Sequence, residues 1–289
     1  MNYKKWGLKL KAQKLNINTE TIAKRKSDQE TIYFDTKFNF IRQHNGIRPN
    51  KMHLFIAPTH VGKSTLTHAL IYDLVNMNKG MKILIYLTEE TIEDFETAVS
   101  NFIYNFDDVN DSVSIMVEDK TKTDEEIKNA IETKLFHSDV DLLVIDNITT
   151  SKLYMDRKVS VQSDISIWLK GLLKETTLYI IAHTNGNNYN TEILDETHIR
   201  GSKTITNITE FMYVMQPISL NDSLYQFIRI LKHRGQSVKN KFFKLSYNNK
   251  ARTIDHDRIS DFTHFKEVFA LRNRLWTDLT DFHLILNVH

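Results

Sequence analysis

MHLFIAPTHVGKSTLTHAL, residues 52–70, passes from an apolar run through a short polar turn into a helical pattern. Within it, Ala57-Pro58-Thr59-His60-Val61-Gly62-Lys63-Ser64 matches P-loop spacing, with Ala57 where the first glycine usually stands. The layout follows from what a polyphosphate needs. Small residues let backbone N–H groups wrap the phosphates, and the next helix points its positive end at them. Lys63 then reaches the terminal phosphates and the Ser64 hydroxyl ligates Mg2+, with Thr65 beside it as a further candidate. The pattern alone arises by chance. A strand before it and a helix after it are the context that makes it specific.

Working outward, Leu66, Ala69, Leu70, Leu74 and Val75 predict one face of a helix, closed by Gly80. KILIYL (82–87) is nearly all apolar, as suits a parallel strand covered on both faces. SVSIMVED (112–119), DLLVID (141–146), LYIIAH (178–183) and EFMYVMQP (210–217) are further strand candidates. Helical patterns occupy 91–106, 124–136 and 161–176. The stretches QFIRILKHRG and NKFFKLSYNNKARTID, within 226–255, predict a terminal antiparallel pair. The expected fold is α/β: a mostly parallel central sheet flanked by helices, with a C-terminal antiparallel extension. Such a sheet binds its ligand at the carboxyl ends of its strands.

Composition narrows the chemistry. The 289 residues hold no cysteine, which excludes disulfides, thiolate zinc sites, iron–sulfur clusters and cysteine nucleophiles. With 38 basic and 36 acidic residues the net charge is +2, so any nucleic-acid site must be a local patch. No apolar run approaches the ~20 residues of a membrane span, and the N-terminus lacks the apolar core of a secretory signal. A cytoplasmic protein is expected. Residues 1–27 carry eight Lys/Arg against one acid, Glu20. The expected organisation is a basic arm over 1–37, an ATPase domain over 38–255 and a helical extension over 256–289. In that extension Phe262, Phe265, Phe269, Leu275 and Leu279 fall on or near one helical face. The arm reads either as a solvated segment or as one that docks on a neighbour or nucleic acid.

Two carboxylates belong with the P-loop. Asp146 ends the apolar run DLLVID and can hold Mg2+ directly or through water, or simply cap a turn. Glu89 ends the strand that follows the P-loop helix, where a carboxylate can orient or deprotonate the attacking water. Glu90 is its rival for that role. The alternative for both is an acid that starts the helix of TEETIEDF.

A catalytic acid on the strand directly after the P-loop helix resembles the RecA-like plan. The details resemble the DnaB-type replicative helicases, especially the phage members. LIYLTEE (84–90) is similar to their "FSLEM" segment, and LLVIDNIT (142–149) to their Walker B strand and the loop after it. YIIAHTN (179–185) is similar to their strand ending in a polar sensor. THIRGSKTITNITEFMYVMQ (197–216) resembles their "LRGSG…DTII" segment, and IRILKHRGQ (228–236) their "KxR" strand end. The likeness covers about residues 38–255. It implies ATP and Mg2+ as cofactors, with His183 sensing the γ-phosphate. It also implies Lys232 and Arg234 reaching into a neighbouring subunit's ATP site, Arg234 as the arginine finger.

Its further implications are a hexameric ring, single-stranded and forked duplex DNA as partners, and a primase or helicase loader. The DNA-binding candidates are Lys152, Arg157, Lys158, Arg200 and Lys203, with Tyr154 as a platform for a base. Each also reads, singly, as part of a solvated basic loop. The chain departs from the family in several places. Thr184 stands where bacterial members tend to carry Gln, and residues 185–198 hold no Lys or Arg. No primase or collar domain precedes the motor in this sequence. Two other functions share the same core: a filament-forming RecA-like recombinase, and a nucleotide-gated accessory subunit.

Overall fold

The computed structural model describes residues 33–43, 45–100, 107–185, 193–220, 223–234, 242–248 and 253–260. All belong to one unit that begins at Tyr33. The quoted stretch folds as read. MHLFIA is β1 (Met52–Ala57), the turn follows, and α2 (Lys63–Met77) begins at the P-loop lysine, after the short α1 (Asn39–Arg42). Then come β2 (Ile83–Leu87), α3 (Ile92–Ser100), α4 (Asp107–Ser112) and β3 (Val113–Val117). They are followed by α5 (Asp124–Ser138), β4 (Leu142–Asp146), α6 (Val159–Leu172) and β5 (Thr177–His183). The chain continues with α7 (Lys203–Ile208), β6 (Phe211–Leu220), β7 (Ser223–His233), β8 (Phe242–Asn248) and β9 (Thr253–Ser260). Helix α5 starts where its sequence asks: Thr123 and Glu126 form a reciprocal capping box.

The strands make one mixed sheet in the order β3-β2-β4-β5-β1-β6-β7-β8-β9. Pairings from β3 through β6 are parallel, and those from β6 to β9 antiparallel. The fold is thus α/β and mostly parallel at its centre. Every residue of β1, β2, β4 and β5 is buried, which explains their unbroken apolar runs. Alternate residues serve opposite faces. Ile83, Ile85 and Leu87 pack with Leu66, Leu70 and Leu74 of α2, whereas Leu84 and Tyr86 pack with Ile131 of α5 and Leu169 of α6. Helices therefore cover both faces.

Three expectations change. The C-terminal extension is not a pair: NKFFKLSYNNKARTID supplies two strands, β8 and β9, so β6 to β9 form an antiparallel run of four. Strand β9 also reaches Ser260, beyond the boundary expected at 255. At the other end the domain begins before 38. Thr36 Oγ1 donates to Asp73 at 2.5 Å and Asp35 N to Asn78 Oδ1 at 2.8 Å, both partners lying on or just after α2. The basic segment 1–32, the helical reading of 262–286 and the end of the 91–106 helix lie outside the described residues.

Candidate active site

The P-loop turn works because of its backbone. His60 and Gly62 both adopt left-handed dihedrals, φ 60° and 84°. Glycine at 62 meets a second demand, because a Cβ there would lie 2.8 Å from Gln226 Nε2. That amide donates to the Val61 carbonyl, so β7 braces the loop from the antiparallel half of the sheet. Ala57 and Pro58 are buried beneath the turn. Thr59, His60, Gly62, Lys63, Ser64, Thr65, Glu89 and His183 line an open cleft of about 380 Å3. Its volume lies within the usual ~300–1,000 Å3 of small-molecule sites.

Sheet order brings the remaining groups to this cleft. Strand β5 lies between β1 and β4, and β2 lies beyond β4. The carboxyl ends of these strands therefore set the P-loop, His183, Asp146 and Glu89 in one row. Lys63 Nζ donates to His183 Nε2 at 2.7 Å and stands 3.7 Å from Asp146 Oδ1. All three side chains are buried. Burial lifts the Asp146 carboxyl to a pKa of about 6, more than offsetting the nearby Lys63 cation. Burial lowers His183 to about 4, and Lys63 pushes the same way.

His183 is therefore a neutral acceptor at Nε2. Asn147 supports this reading by donating its Nδ2 to the same nitrogen at 3.2 Å. The Asn147 amide is oriented in turn, because its Oδ1 accepts from Thr149 Oγ1 at 2.7 Å and Thr150 N at 3.0 Å. Beyond β5, Arg200 N donates to the His183 carbonyl at 2.9 Å. Gly201, at φ 108°, then lies so close to Tyr154 that a Cβ would meet its Cε1 at 2.4 Å. Ser202 N donates to the Tyr154 hydroxyl at 3.0 Å. The loop after β4 and the segment 199–202 are thus latched together, and both connect to His183.

The two neighbouring glutamates differ. Glu89 is exposed at the cleft. Glu90 is half-buried and turns towards α2, and the His68 imidazole 3.3 Å from its Oε2 holds its carboxyl below the usual range.

The expected DNA contacts are more dispersed. Tyr154 is buried, so it is a packing residue and not a platform for a base. Lys152 donates to the carbonyls of Lys120 (3.0 Å) and Lys122, and Arg157 pairs with Asp124 at 2.7 Å. Arg200 lies 3.8 Å from Asp156. Lys158 and Lys203, at the starts of α6 and α7, are exposed.

Lys232 lies near the end of β7, where it is partly buried. Its Nζ donates to the carbonyls of Thr206 (2.9 Å) and Asn207 (3.3 Å) at the end of α7. Arg234 is exposed at the opposite edge of the sheet: β7 ends beside Phe211, which pairs with His53 near the start of β1. At ~3.3 Å per residue along β1, that edge is roughly 20 Å from the P-loop.

Sequence reading passed over Asn147, His68 and Gln226. The first two carried a signal: Asn147 follows Asp146 directly, and His68 stands one helical turn after Ser64. Gln226 carried none, being 165 residues from the carbonyl it braces. Neither a scan against protein-family models nor a search of curated proteins returns a match to this chain.

Proposed function

We propose that this chain is a RecA-like P-loop ATPase and the motor of a DnaB-type, ring-forming DNA helicase. The observation that carries this reading is the row formed by Lys63, His183 and Asp146, with Glu89 exposed beside it. The donor set suits the cofactor. Ser64 offers a hydroxyl and Asp146 a carboxylate, both hard oxygen ligands of the kind Mg2+ takes alongside water and phosphate. When bound, Mg2+ neutralises charge on the phosphate oxygens.

The chain's own residues supply the other roles. Backbone N–H groups of the P-loop and the Lys63 ammonium bind the phosphates. Glu89 orients the attacking water and accepts its proton. His183 loses its hydrogen bond from Lys63 when that ammonium turns to phosphate. Through Arg200 and the Tyr154–Gly201 latch, it passes the change to the two loops beside the channel. Arg234 is too far from its own P-loop to act there. It would serve the site of an adjacent copy, which favours nucleotide bound between subunits of a ring. Single-stranded DNA would meet Lys158, Lys203 and Arg200, the more exposed cations of the expected set.

The test is unwinding of a forked duplex with ATP and Mg2+, alongside ATP hydrolysis with and without single-stranded DNA, with Lys63→Ala as control. Strand separation that the control lacks is the expected result. DNA-stimulated hydrolysis without strand separation, by particles that form filaments, would favour a recombinase. Absence of hydrolysis under all conditions would overturn the motor reading in favour of an accessory subunit.

A further inference from the structure

His183 closes a circuit of hydrogen bonds in which every direction is fixed. Its backbone N–H donates to Thr149 Oγ1 at 3.1 Å, and a backbone amide can only donate. The Thr149 hydroxyl therefore keeps its own proton to give, and it gives it to Asn147 Oδ1 at 2.7 Å. Thr150 N donates to the same oxygen at 3.0 Å, so Oδ1 is an acceptor twice over. The other end of that amide, Nδ2, is donor only and lies 3.2 Å from His183 Nε2. Lys63 Nζ, also donor only, reaches the same nitrogen at 2.7 Å. Nε2 thus carries no proton, so the ring is neutral and its one proton sits on Nδ1. Among the described residues no group hydrogen-bonds Nδ1, and the ring borders the cleft. Asn147 is itself held in place. It is fully buried, and its backbone N–H donates to Thr88 Oγ1 at 2.9 Å, next to Glu89.

We propose that Asn147 is a positioning residue that fixes the tautomer of His183, so that the ring meets the nucleotide as an Nδ1–H donor. Lys63 has two partners to serve, His183 and the phosphates. When its ammonium turns to phosphate, Asn147 alone keeps Nε2 an acceptor, and the ring neither flips nor moves its proton. A nitrogen that only donates suits an oxygen that only accepts, and ionised terminal phosphate oxygens are of that kind. The nucleotide as ligand rests on the P-loop reading above. The tautomer rests on the hydrogen bonds alone.

The experiment is nitrogen NMR of the full chain with labelled histidine rings, which reads the tautomer of each ring, with His183→Gln to assign the signals. The proteins are wild type, Lys63→Ala, Asn147→Asp and Asn147→Leu, each checked by thermal melting. Wild type and Lys63→Ala should both show His183 protonated at Nδ1 only, because Asn147 suffices. Asn147→Asp keeps the oxygen that faces Thr149 and Thr150 and puts a second acceptor where Nδ2 stood, so Nε2 should gain a proton. A protonated Nε2 in Lys63→Ala would overturn the positioning role, and that variant decides the matter should the Asn147 variants fail to fold. An Nδ1-only ring in Asn147→Asp would overturn it equally. Binding of fluorescent ATP and ADP analogues tests the ligand. In Asn147→Leu the preference for the triphosphate should fall by about 3- to 10-fold, the net worth of one hydrogen bond. An unchanged preference would overturn the role towards the nucleotide. Wild type that binds either analogue no more tightly than Lys63→Ala would instead overturn the P-loop reading, while the tautomer result would stand.

Discussion

At the carboxyl edge of the parallel strands, the buried Lys63 ammonium stands 2.7 Å from His183 and 3.7 Å from Asp146, both buried too. At the amino edge, Lys232 is tied to the end of its own α7, while Arg234 is exposed beside the start of β6. At the first edge burial and charge oppose one another at a single carboxyl. Asp146 holds its proton up to about pH 6 because burial costs more than Lys63 returns. An added cation would relieve that cost. The difference separates two kinds of edge: the carboxyl edge gathers buried ionisable groups beside an open cleft, and the amino edge leaves Arg234 exposed.

Arg234 breaks or sustains this comparison most sharply. Arg234→Ala should bind nucleotide normally yet lose about 10³-fold or more in ATP turnover, in the range of arginine fingers. Mixing it with Lys63→Ala should restore activity, since each variant supplies what the other lacks. A mixture as inactive as its components, in a steady-state hydrolysis assay, would place the site within one chain. Next, Glu89→Gln should lower kcat by about 10²- to 10⁴-fold without weakening nucleotide binding. A comparable loss of binding would show that Glu89 holds the ligand.

The carboxyl edge should also titrate. Asp146 must be ionised to receive Mg2+, and its carboxyl is raised to about 6. Mg2+ affinity should therefore be flat above about pH 7 and fall up to ~10-fold per unit below pH 6. In Asp146→Asn that slope should vanish. The same raised value makes a stability claim for the protein without ligand. The folded state binds the extra proton, so this group favours folding at low pH and loses that contribution as pH rises from about 4 to 6. His183, lowered to about 4, has the opposite slope over about pH 4 to 6.5. Removing one group should expose the other, read as Tm against pH in Asp146→Asn.

Two smaller effects separate the edges by stability. Gly201→Ala places a Cβ 2.4 Å from Tyr154 at a left-handed position and should cost about 1–3 kcal/mol, measured by denaturant unfolding. Lys232→Ala removes only a capping cation from α7 and should cost about 1 kcal/mol or less. A larger loss of DNA-dependent turnover than of stability in Lys232→Ala would return that lysine to the shared site.

The P-loop strand, turn and helix were legible in order because each depends on local pattern: an apolar run, a positive-φ glycine, a helical face. Asp146 and His183 were legible because unbroken apolar strands end where their polar residues emerge. The four-strand antiparallel run was partly hidden. Strand β8 and the start of β9 both lie within one stretch that the local pattern assigns to a single strand. Tyr154 misled because an aromatic in a basic loop looks exposed, and only packing against Gly201 shows that it is buried.

What the sequence alone determined is therefore the inventory: a glycine turn between strand and helix, an acid after the next strand, buried parallel strands and their ends. These are set by residues near one another in the chain. Tertiary structure decided the pairings. It set Glu90 beside His68 while leaving Glu89 to the cleft, braced the loop after β1 with Gln226, tied Lys232 to α7 and set Arg234 at the far edge. Each of those choices depends on sheet order, which brings together residues up to 165 positions apart, and no local periodicity encodes such distances.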